Sequence, residues 1–427
     1  MALVVRLAAV PLIHQLGYVS DEREYVSLAE RILDGSGFVD SNGTTSVRAP
    51  LFPALLAATI YLDGGDLMLG HLLGALLGVV GVWLVYGLGR EIFADRRIAL
   101  YGASIAALYP GLVTYSAMLE TETLYIVFFL AVLLISVRLV NSPRVALAVG
   151  LGVFGGLAAL TRAVFVPFFP LLLLVLWSVR IKEGWQWFLQ ILMAGILFII
   201  LLLPWGIRNF GIHHRVIPVS TFAGQSLLLG NNPFSSGTTR LADGFDGWVA
   251  DRIENRTGRL PEELTEIERA DVSWDIAMDY ILSHPRRFAE LLVRKAHVLL
   301  IYPITNSDSY IPAQLVGVLF DLILLLVAAA GWVLSSRKRG WVRGILAICA
   351  FFAVVHILLH AEARYRLPLT PLLCMLAGAG MAGFMTAEGR ALLWKRRGIP
   401  VRLALVWVAI IAVYGFTGLM FVSGEIS

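Results

Sequence analysis

About eleven stretches of this chain are apolar and long enough to cross a lipid bilayer, and that repetition limits its possible folds more than any other feature. They run at about 1–17, 67–89, 98–119, 123–139, 145–161, 163–179, 187–207, 312–334, 344–360, 367–387 and 401–423, with residues 50–62 as a further short apolar helix. A hydrocarbon core about 30 Å thick needs about 20 apolar residues in a helix. No water inside it can satisfy a bare backbone, so each stretch must be a helix packed on others. Several of them lie near the lower length limit. Composition agrees: of 427 residues, 58% are hydrophobic and 15% charged, with a mean hydropathy of +0.78. A soluble domain of this size is excluded, and the expected class is an all-α polytopic membrane protein. The net charge of +4 and pI near 9.1 reflect loops on one side of a membrane. No run of like charges forms an arm for RNA or DNA, so no nucleic-acid partner is expected. Cys349 and Cys374 both sit in apolar stretches and read as small core residues. No small-residue cleavage site precedes Asp21, so the first apolar stretch is expected to stay as a span.

The short loops alternate in charge. Arg90, Arg96 and Arg97 follow the second stretch, Arg138 and Arg144 the fourth, Arg180 and Lys182 the sixth. Arg337, Lys338, Arg339 and Arg343 follow the eighth, and Lys395, Arg396 and Arg397 the tenth. Threading the spans in turn puts all five clusters on one side, which the positive-inside rule makes cytoplasmic. The other side receives residues 18–50, the turn at 118–122, the turn at Thr161 and Arg162, the segment 208–311, and 360–366. Three parts follow: an N-terminal membrane module at 1–207 carrying the external loop 18–50, an external segment at 208–311, and C-terminal membrane helices at 312–427. The expected location is a plasma or inner membrane, with the polar face toward the periplasm or exterior.

The stretch Tyr18 to Pro53 is the first long polar segment. Asp21 and Glu22 stand just beyond the first span, where a lipid headgroup lies. Tyr25, Leu28, Ala29 and Ile32 follow at helical spacing, so a short amphipathic helix is expected after Asp21, stopped by Gly35 and Gly37. Acids at a helix N-terminus are favoured by the backbone dipole, which is the structural alternative for this pair. Arg48, Arg162, Arg208, Arg364 and Arg366 lie at external ends of spans, where the positive-inside rule predicts few basic residues. Snorkelling explains any one of them; five together point to an anion, and guanidinium suits phosphate. Glu120 and Glu122, with Tyr125, occupy a tight external turn, placed to pair with one of those arginines, to orient a hydroxyl, or simply to be solvated.

In the external segment, the Gly/Asn/Ser-rich residues 224–247 show no helix period. Residues 261–282 read as a helix with Pro261 at its start. Residues 285–302 are amphipathic and expected along the membrane surface, with Arg294 and Lys295 on the polar side. His356, His360 and Glu362 raise the question of a metal, against the commoner hydrogen-bonded histidine. Asp321, inside the eighth span, is either a functional acid or a partner for a neighbouring hydroxyl or arginine. There is no P-loop, no GxGxxG after a strand, no HExxH and no CxxC pair. No cytoplasmic segment is long enough for a nucleotide-binding domain.

DEREY at 21–25, GSGF at 35–38 and VRAPLFP at 47–53 resemble the first external loop of integral-membrane C-type glycosyltransferases. The branch is that of protein O-mannosyltransferases and lipid A aminoarabinose transferases. ETETLY at 120–125, GLAALTRA at 156–163, PWGIRNF at 204–210, GNNP at 230–233 and EARYRLPLTP at 362–371 follow in the expected order. The resemblance spans nearly the whole chain; each motif is short, and order and spacing carry it.

The resemblance implies a bundle of about eleven spans with external juxtamembrane helices. It implies a polyprenyl-phosphate sugar donor, an acceptor hydroxyl on a glycan, lipid or protein, and inversion at the anomeric carbon, in short cell-envelope glycosylation. Asp21 matches the general base, with Glu22 beside it. Arg48, Arg364 and Arg366 match residues that hold the phosphate. Tyr25, Glu120, Glu122, Arg162, Arg208, Asn231 and Tyr365 complete the set expected to line the substrate site. Arginines can supply the charge for a departing phosphate, so no obligatory cofactor or metal is expected. The alternative is a transporter or flippase, but those tend to show internal repeats and midplane polar groups. Here the polar groups gather at one face, Asp321 excepted. A third reading, an O-antigen-ligase-like or polymerase enzyme, would use lipid diphosphate donors.

Overall fold

The computed structural model describes residues 1–15, 17–18, 21–40, 43–237, 243–301, 311–335, 339–385 and 401–411. Arg337, Lys338, Lys395, Arg396, Arg397 and the part of the last expected span beyond residue 411 lie outside them. The helices in chain order are α1 (Ala2–Gln15), α2 (Glu22–Leu33), α3 (Leu51–Leu62), α4 (Met68–Phe93), α5 (Arg96–Leu108), α6 (Pro110–Ala117), α7 (Thr121–Asn141), α8 (Val145–Thr161) and α9 (Phe165–Val179). Then come α10 (Trp185–His213), α11 (Ala223–Gly230), α12 (Phe245–Thr257), α13 (Glu266–Ser283), α14 (Pro285–Ile301), α15 (Ile311–Leu334), α16 (Arg339–Leu358) and α17 (Thr370–Met385). A last helix is described over Val401–Ile411. A two-stranded antiparallel ribbon, Val39–Asp40 against Gly43–Thr44, lies between α2 and α3.

Among the described residues, five helices are long and apolar enough to cross a membrane: α4, α7, α10, and the Gly317–Leu334 and Gly340–Leu358 parts of α15 and α16. The bent pair α5 and α6 together is also long and apolar enough, and counts as a sixth if the two form one span. The remaining apolar helices, α1, α3, α8, α9, α17 and Val401–Ile411, are shorter, 10–17 residues each. The chain divides into two compact units, one of residues 1–219, 324–342 and 367–403, the other of 220–323, 343–366 and 404–427.

In the first unit α7 is the innermost helix, buried on nearly every face from Thr121 to Leu139 and packed against α4 and α8. A helix apolar all round belongs at the centre of a bundle, and its first turn carries Glu122 and Tyr125. Small residues set the closest crossings. A Cβ on Gly378 of α17 would stand 2.5 Å from the amide nitrogen of Gly102 on α5, so those backbones touch.

The expected continuous span at 98–119 is broken. α5 and α6 meet at 56° around Tyr109 and Pro110. Tyr109 is extended, as a residue before proline prefers. Pro110 has no N–H to give the carbonyl of Ala106, four residues back. Arg6 of α1, 1% exposed, supplies the missing donors: Nη2 donates to Ala106 O at 3.4 Å and Nη1 to Ala107 O at 3.1 Å.

The second unit is built on α11 to α14. Leu227 and Leu228 of α11, Ile253 of α12, and Val272, Ile276 and Ala277 of α13 share one core with Leu264. Three expectations change here. Residues 224–247 contain helix: α11 forms because its leucines are buried, and packing overrides weak local propensity. The helix expected at 261–282 begins later. Pro261–Glu263 is a 3-10 turn, and the α-helix starts after Thr265, whose hydroxyl accepts from Glu268 N–H while Glu268 accepts from Thr265 N–H. Lys295 is not on the polar side of α14. It is 0% exposed, on the same stripe as the buried Leu291, Val298 and Leu299.

Candidate functional site

α2 begins and ends where the sequence places it, between Asp21 and the two glycines, Gly35 and Gly37, whose φ angles are +85° and +83°. Tyr25, Val26 and Ala29 press its inner face onto Leu56, Ala57 and Ile60 of α3. Packing a short helix on another in this way fixes the direction of the side chains at its start.

Asp21 is the helix N-cap residue, yet its carboxylate makes no capping bond. The side chain is 26% exposed, with Oδ1 3.5 Å from Nη2 of Arg48. Glu24 grips the same guanidinium bidentately, Oε1 accepting from Nε at 2.9 Å and Oε2 from Nη2 at 2.5 Å. The Arg48 guanidinium also lies 5.5 Å from the centre of the Tyr25 ring. Glu22, the neighbouring acid, is 2% exposed and accepts the backbone N–H of Leu119 at 2.7 Å. The two adjacent acids therefore have different surroundings: one faces a cation near solvent, the other is a buried clamp between the start of α2 and the turn at 118–122.

That turn brings in the second acid group. Glu122, in the first turn of α7, is buried and accepts from Nη1 of Arg162 at 2.8 Å. Arg162 stands 6.0 Å over the Tyr125 ring, whose buried hydroxyl has no hydrogen-bond partner among the described residues. Tyr25 links the two groups electrostatically. Burial raises its hydroxyl above the usual phenol range, and the charges of Arg48, Glu122, Asp21 and Arg162 all bear on it. Glu120 is buried just before α7 and lines a cavity of about 20 Å3 with Met118, Leu119 and Thr123. Asp21, Glu22, Tyr25, Arg48, Glu120, Glu122 and Arg162 are thus gathered on one side of the first unit.

Arg208 is in the first unit too, against the residues that flank the ribbon. Its guanidinium donates to Thr45 O and Ser46 Oγ at 2.8 Å and to Phe38 O at 3.0 Å, and it stacks 4.4 Å from the Trp205 ring centre. Ser46 Oγ in turn donates to Asn209 at 2.8 Å. The PWGIRNF motif ties the end of α10 to residues 38–46.

The remaining expected residues are in the second unit. Arg364 pairs with Glu362, and Arg366 with Asp321 in a buried ion pair; Nη1 of Arg366 also donates to Leu299 O at 3.3 Å. Asp321 is thus an arginine's partner, one of the two roles read for it. The histidines serve Tyr365: His356 stacks on its ring at 4.4 Å, and His360 Nε2 is 2.7 Å from its hydroxyl, with Nδ1 2.6 Å from Ser226 Oγ. The Asn231 side chain is fully buried. Its Nδ2 donates to Leu227 O at 2.8 Å, to Leu358 O at 3.1 Å and to Leu359 O at 3.2 Å, while its Oδ1 accepts from Lys295 Nζ at 2.7 Å. Lys295 was missed as a polar core residue. The signal was its spacing, four residues after Leu291 and three and four before Val298 and Leu299, which puts it mid-stripe.

Comparison with known proteins places the fold. Residues 47–207 match the family of dolichyl-phosphate-mannose-protein mannosyltransferases. No curated protein sequence matches the chain. The structure is similar to the archaeal oligosaccharyltransferase AglB from Archaeoglobus fulgidus, solved with an inhibitory peptide and a dolichol-phosphate. The match has a TM-score of 0.51 at 15% identity and covers 97% of this chain and 55% of that one. The apo form of the Archaeoglobus fulgidus oligosaccharyltransferase gives a TM-score of 0.53 at 15% identity over 97% and 54%. ArnT from Cupriavidus metallidurans, bound to undecaprenyl phosphate, matches at 19% identity over 90% and 78%, but a TM-score of 0.42 is too loose to support an argument. The chain spans about 55% of the length of the archaeal enzyme, so that likeness speaks for the fold alone. The fold is all-helical and polytopic, similar to that of the archaeal oligosaccharyltransferase, which is the fold class the sequence motifs imply.

Proposed function

We propose that this chain transfers a sugar from a polyprenyl-phosphate lipid to an acceptor hydroxyl on the external side of the membrane, with Asp21 as general base. The observation that carries the proposal is the Asp21 carboxylate, which makes no helix-capping bond, is partly open to solvent and faces Arg48 at 3.5 Å. A lipid monophosphate donor fits the family matched by residues 47–207, named for dolichyl-phosphate-mannose, and the dolichol-phosphate bound to the archaeal enzyme.

In the reaction the acceptor oxygen bonds to the anomeric carbon as its proton passes to the Asp21 carboxylate. The bond from that carbon to the phosphate oxygen breaks, and its electron pair leaves with the polyprenyl phosphate. Attack opposite the departing phosphate inverts the anomeric centre. General-base catalysis of this kind contributes about 10²–10⁴-fold. The leaving charge needs a cation: Arg48 stands beside the base for that role, and the motif resemblance assigns Arg364 to the phosphate as well. The protein sits in the plasma or inner membrane with this side outward, following the charge of its loops.

The test is transfer by purified protein in detergent or nanodiscs, supplied in turn with polyprenyl monophosphate and diphosphate sugars. Transfer from the monophosphate donors, with inverted product, is expected. Transfer only from diphosphate donors, or transport without transfer, would replace this reading.

A further inference from the structure

Among the described residues, Lys295 is the most deeply buried cation outside the proposed chemistry. It is 0% exposed, and among the described residues it meets no carboxylate. Nζ donates to Asn231 Oδ1 at 2.7 Å, Leu359 O at 2.9 Å and Leu358 O at 3.4 Å, and it lies 5.9 Å from the centre of the Phe288 ring. Burial pushes the amine down to about 7 from its ordinary value, the direction a site poor in charge-stabilising partners gives. A leucine or methionine would fill this stripe without that desolvation, because buried charge is a poor way to gain stability.

What the amine holds is specific. Leu358 and Leu359 end α16, where carbonyls lack helical partners. Immediately after them come His360, Glu362, Arg364, Tyr365 and Arg366. The same carbonyls accept from Nδ2 of Asn231, at the end of α11. Packing leaves no slack on that side: a Cβ on Gly230 would stand 1.9 Å from Leu359 O. Ser226, one turn earlier on α11, holds His360, which holds the Tyr365 hydroxyl. Two polar ties therefore run from α11 to the start of the turn bearing Arg364, and Lys295 is the central member of one.

We infer that Lys295, with Asn231, is a positioning residue: its amine pins the end of α16 and so sets where the Arg364–Tyr365 turn stands for the lipid phosphate. The link to phosphate rests on the function proposed above; the pinning does not. In the donor reaction Lys295 touches no reacting atom. Its removal should loosen residues 359–366 and weaken donor binding, with turnover at saturating donor little changed.

The experiment compares wild type, Lys295→Met and Lys295→Arg in nanodiscs by amide hydrogen exchange, thermal melting and titration with polyprenyl phosphate. Lys295→Met should exchange at least tenfold faster at 359–366 and bind polyprenyl phosphate about tenfold more weakly, with its melting midpoint within a few degrees of wild type. Lys295→Arg, which keeps donors, should recover part of both. Unchanged exchange in Lys295→Met overturns the inference, as does faster exchange with unchanged affinity. If Lys295→Met does not fold, Asn231→Asp keeps the side-chain shape but replaces the Nδ2 donor shared by the Leu358 and Leu359 carbonyls with an acceptor. Exchange at 359–366 should then quicken, and unchanged exchange would overturn the inference. A wild type that binds no polyprenyl phosphate fails the proposed function instead, and the exchange result still stands.

Discussion

Asp21 Oδ1 stands 3.5 Å from Arg48 Nη2, while Glu24, one turn on, holds the same guanidinium by two hydrogen bonds. The acid at the head of α2 is thus left to face a cation on the far side of its own loop, and Glu24 fixes that cation. Asp21→Asn keeps the shape and removes the base. The variant is expected to insert and to bind donor lipid normally while losing about 10²–10⁴-fold in turnover. Near wild-type turnover in a purified transfer assay would move the search for the base to Glu120 and Glu122.

Removing a guanidinium that holds phosphate loses a charge-assisted bond worth roughly 1.5–3 kcal/mol, about ten- to a hundredfold in affinity. Arg48→Ala and Arg364→Ala should each weaken donor binding by about that much, measured by titration with polyprenyl phosphate. Lysine at either place should rescue only partly, since the planar fork is lost. Unchanged affinity in both alanine variants would remove both from the phosphate.

Glu22 separates from its neighbour on stability. Glu22→Leu leaves the buried N–H of Leu119 without its acceptor and is expected to cost about 1–3 kcal/mol. Glu22→Gln keeps an acceptor oxygen and should cost less. Thermal melting of the purified variants decides: equal melting for both would mean the clamp carries no weight.

The charge pattern of the loops predicts an orientation that labelling can check. A cysteine at Ser236 should react with an impermeant thiol reagent in intact cells or spheroplasts, and one at Ser335 should not. The opposite pattern would invert the topology and put Asp21 on the cytoplasmic side.

Periodicity made the single helices legible, and α2 most of all, because an amphipathic stripe and two glycines define it locally. The acid turn and the arginines at span ends expected to face outward were also visible as residue types in unusual places. Their partners were not. Glu122 and Arg162 are 40 residues apart, and Arg366 and Asp321 45, so which acid meets which arginine is settled by helix packing. Pro110 was in plain sight, but its effect depended on whether anything nearby could replace its missing N–H. Lys295 shows the opposite limit: the spacing put it on the apolar stripe, and its charge argued it off. Three uncharged acceptors around the amine decided the matter, and none of them is on its own helix.

The grip of Arg6 on Ala106 and Ala107 has a consequence for how the chain is made. The donor lies 100 residues upstream of the first carbonyl it satisfies, so ribosomes deliver it long before its acceptors exist. Arg6 is the fifth residue of the 14-residue α1; an arginine in an apolar helix alone in lipid is disfavoured, by up to roughly 2.5–3.5 kcal/mol at a helix centre, and the bent backbone at Tyr109 is ill-suited to lipid until a donor reaches it. Each half of the contact is a poor membrane segment that becomes a good one only beside the other. We therefore expect α1 to settle late in biogenesis, waiting at the translocon or the interface until α5 and α6 emerge. Nascent chains truncated before residue 106 should leave α1 accessible to carbonate extraction, and chains extended past residue 117 should not. Arg6→Leu should abolish the difference, and equal extraction of both wild-type lengths would show that α1 inserts on its own.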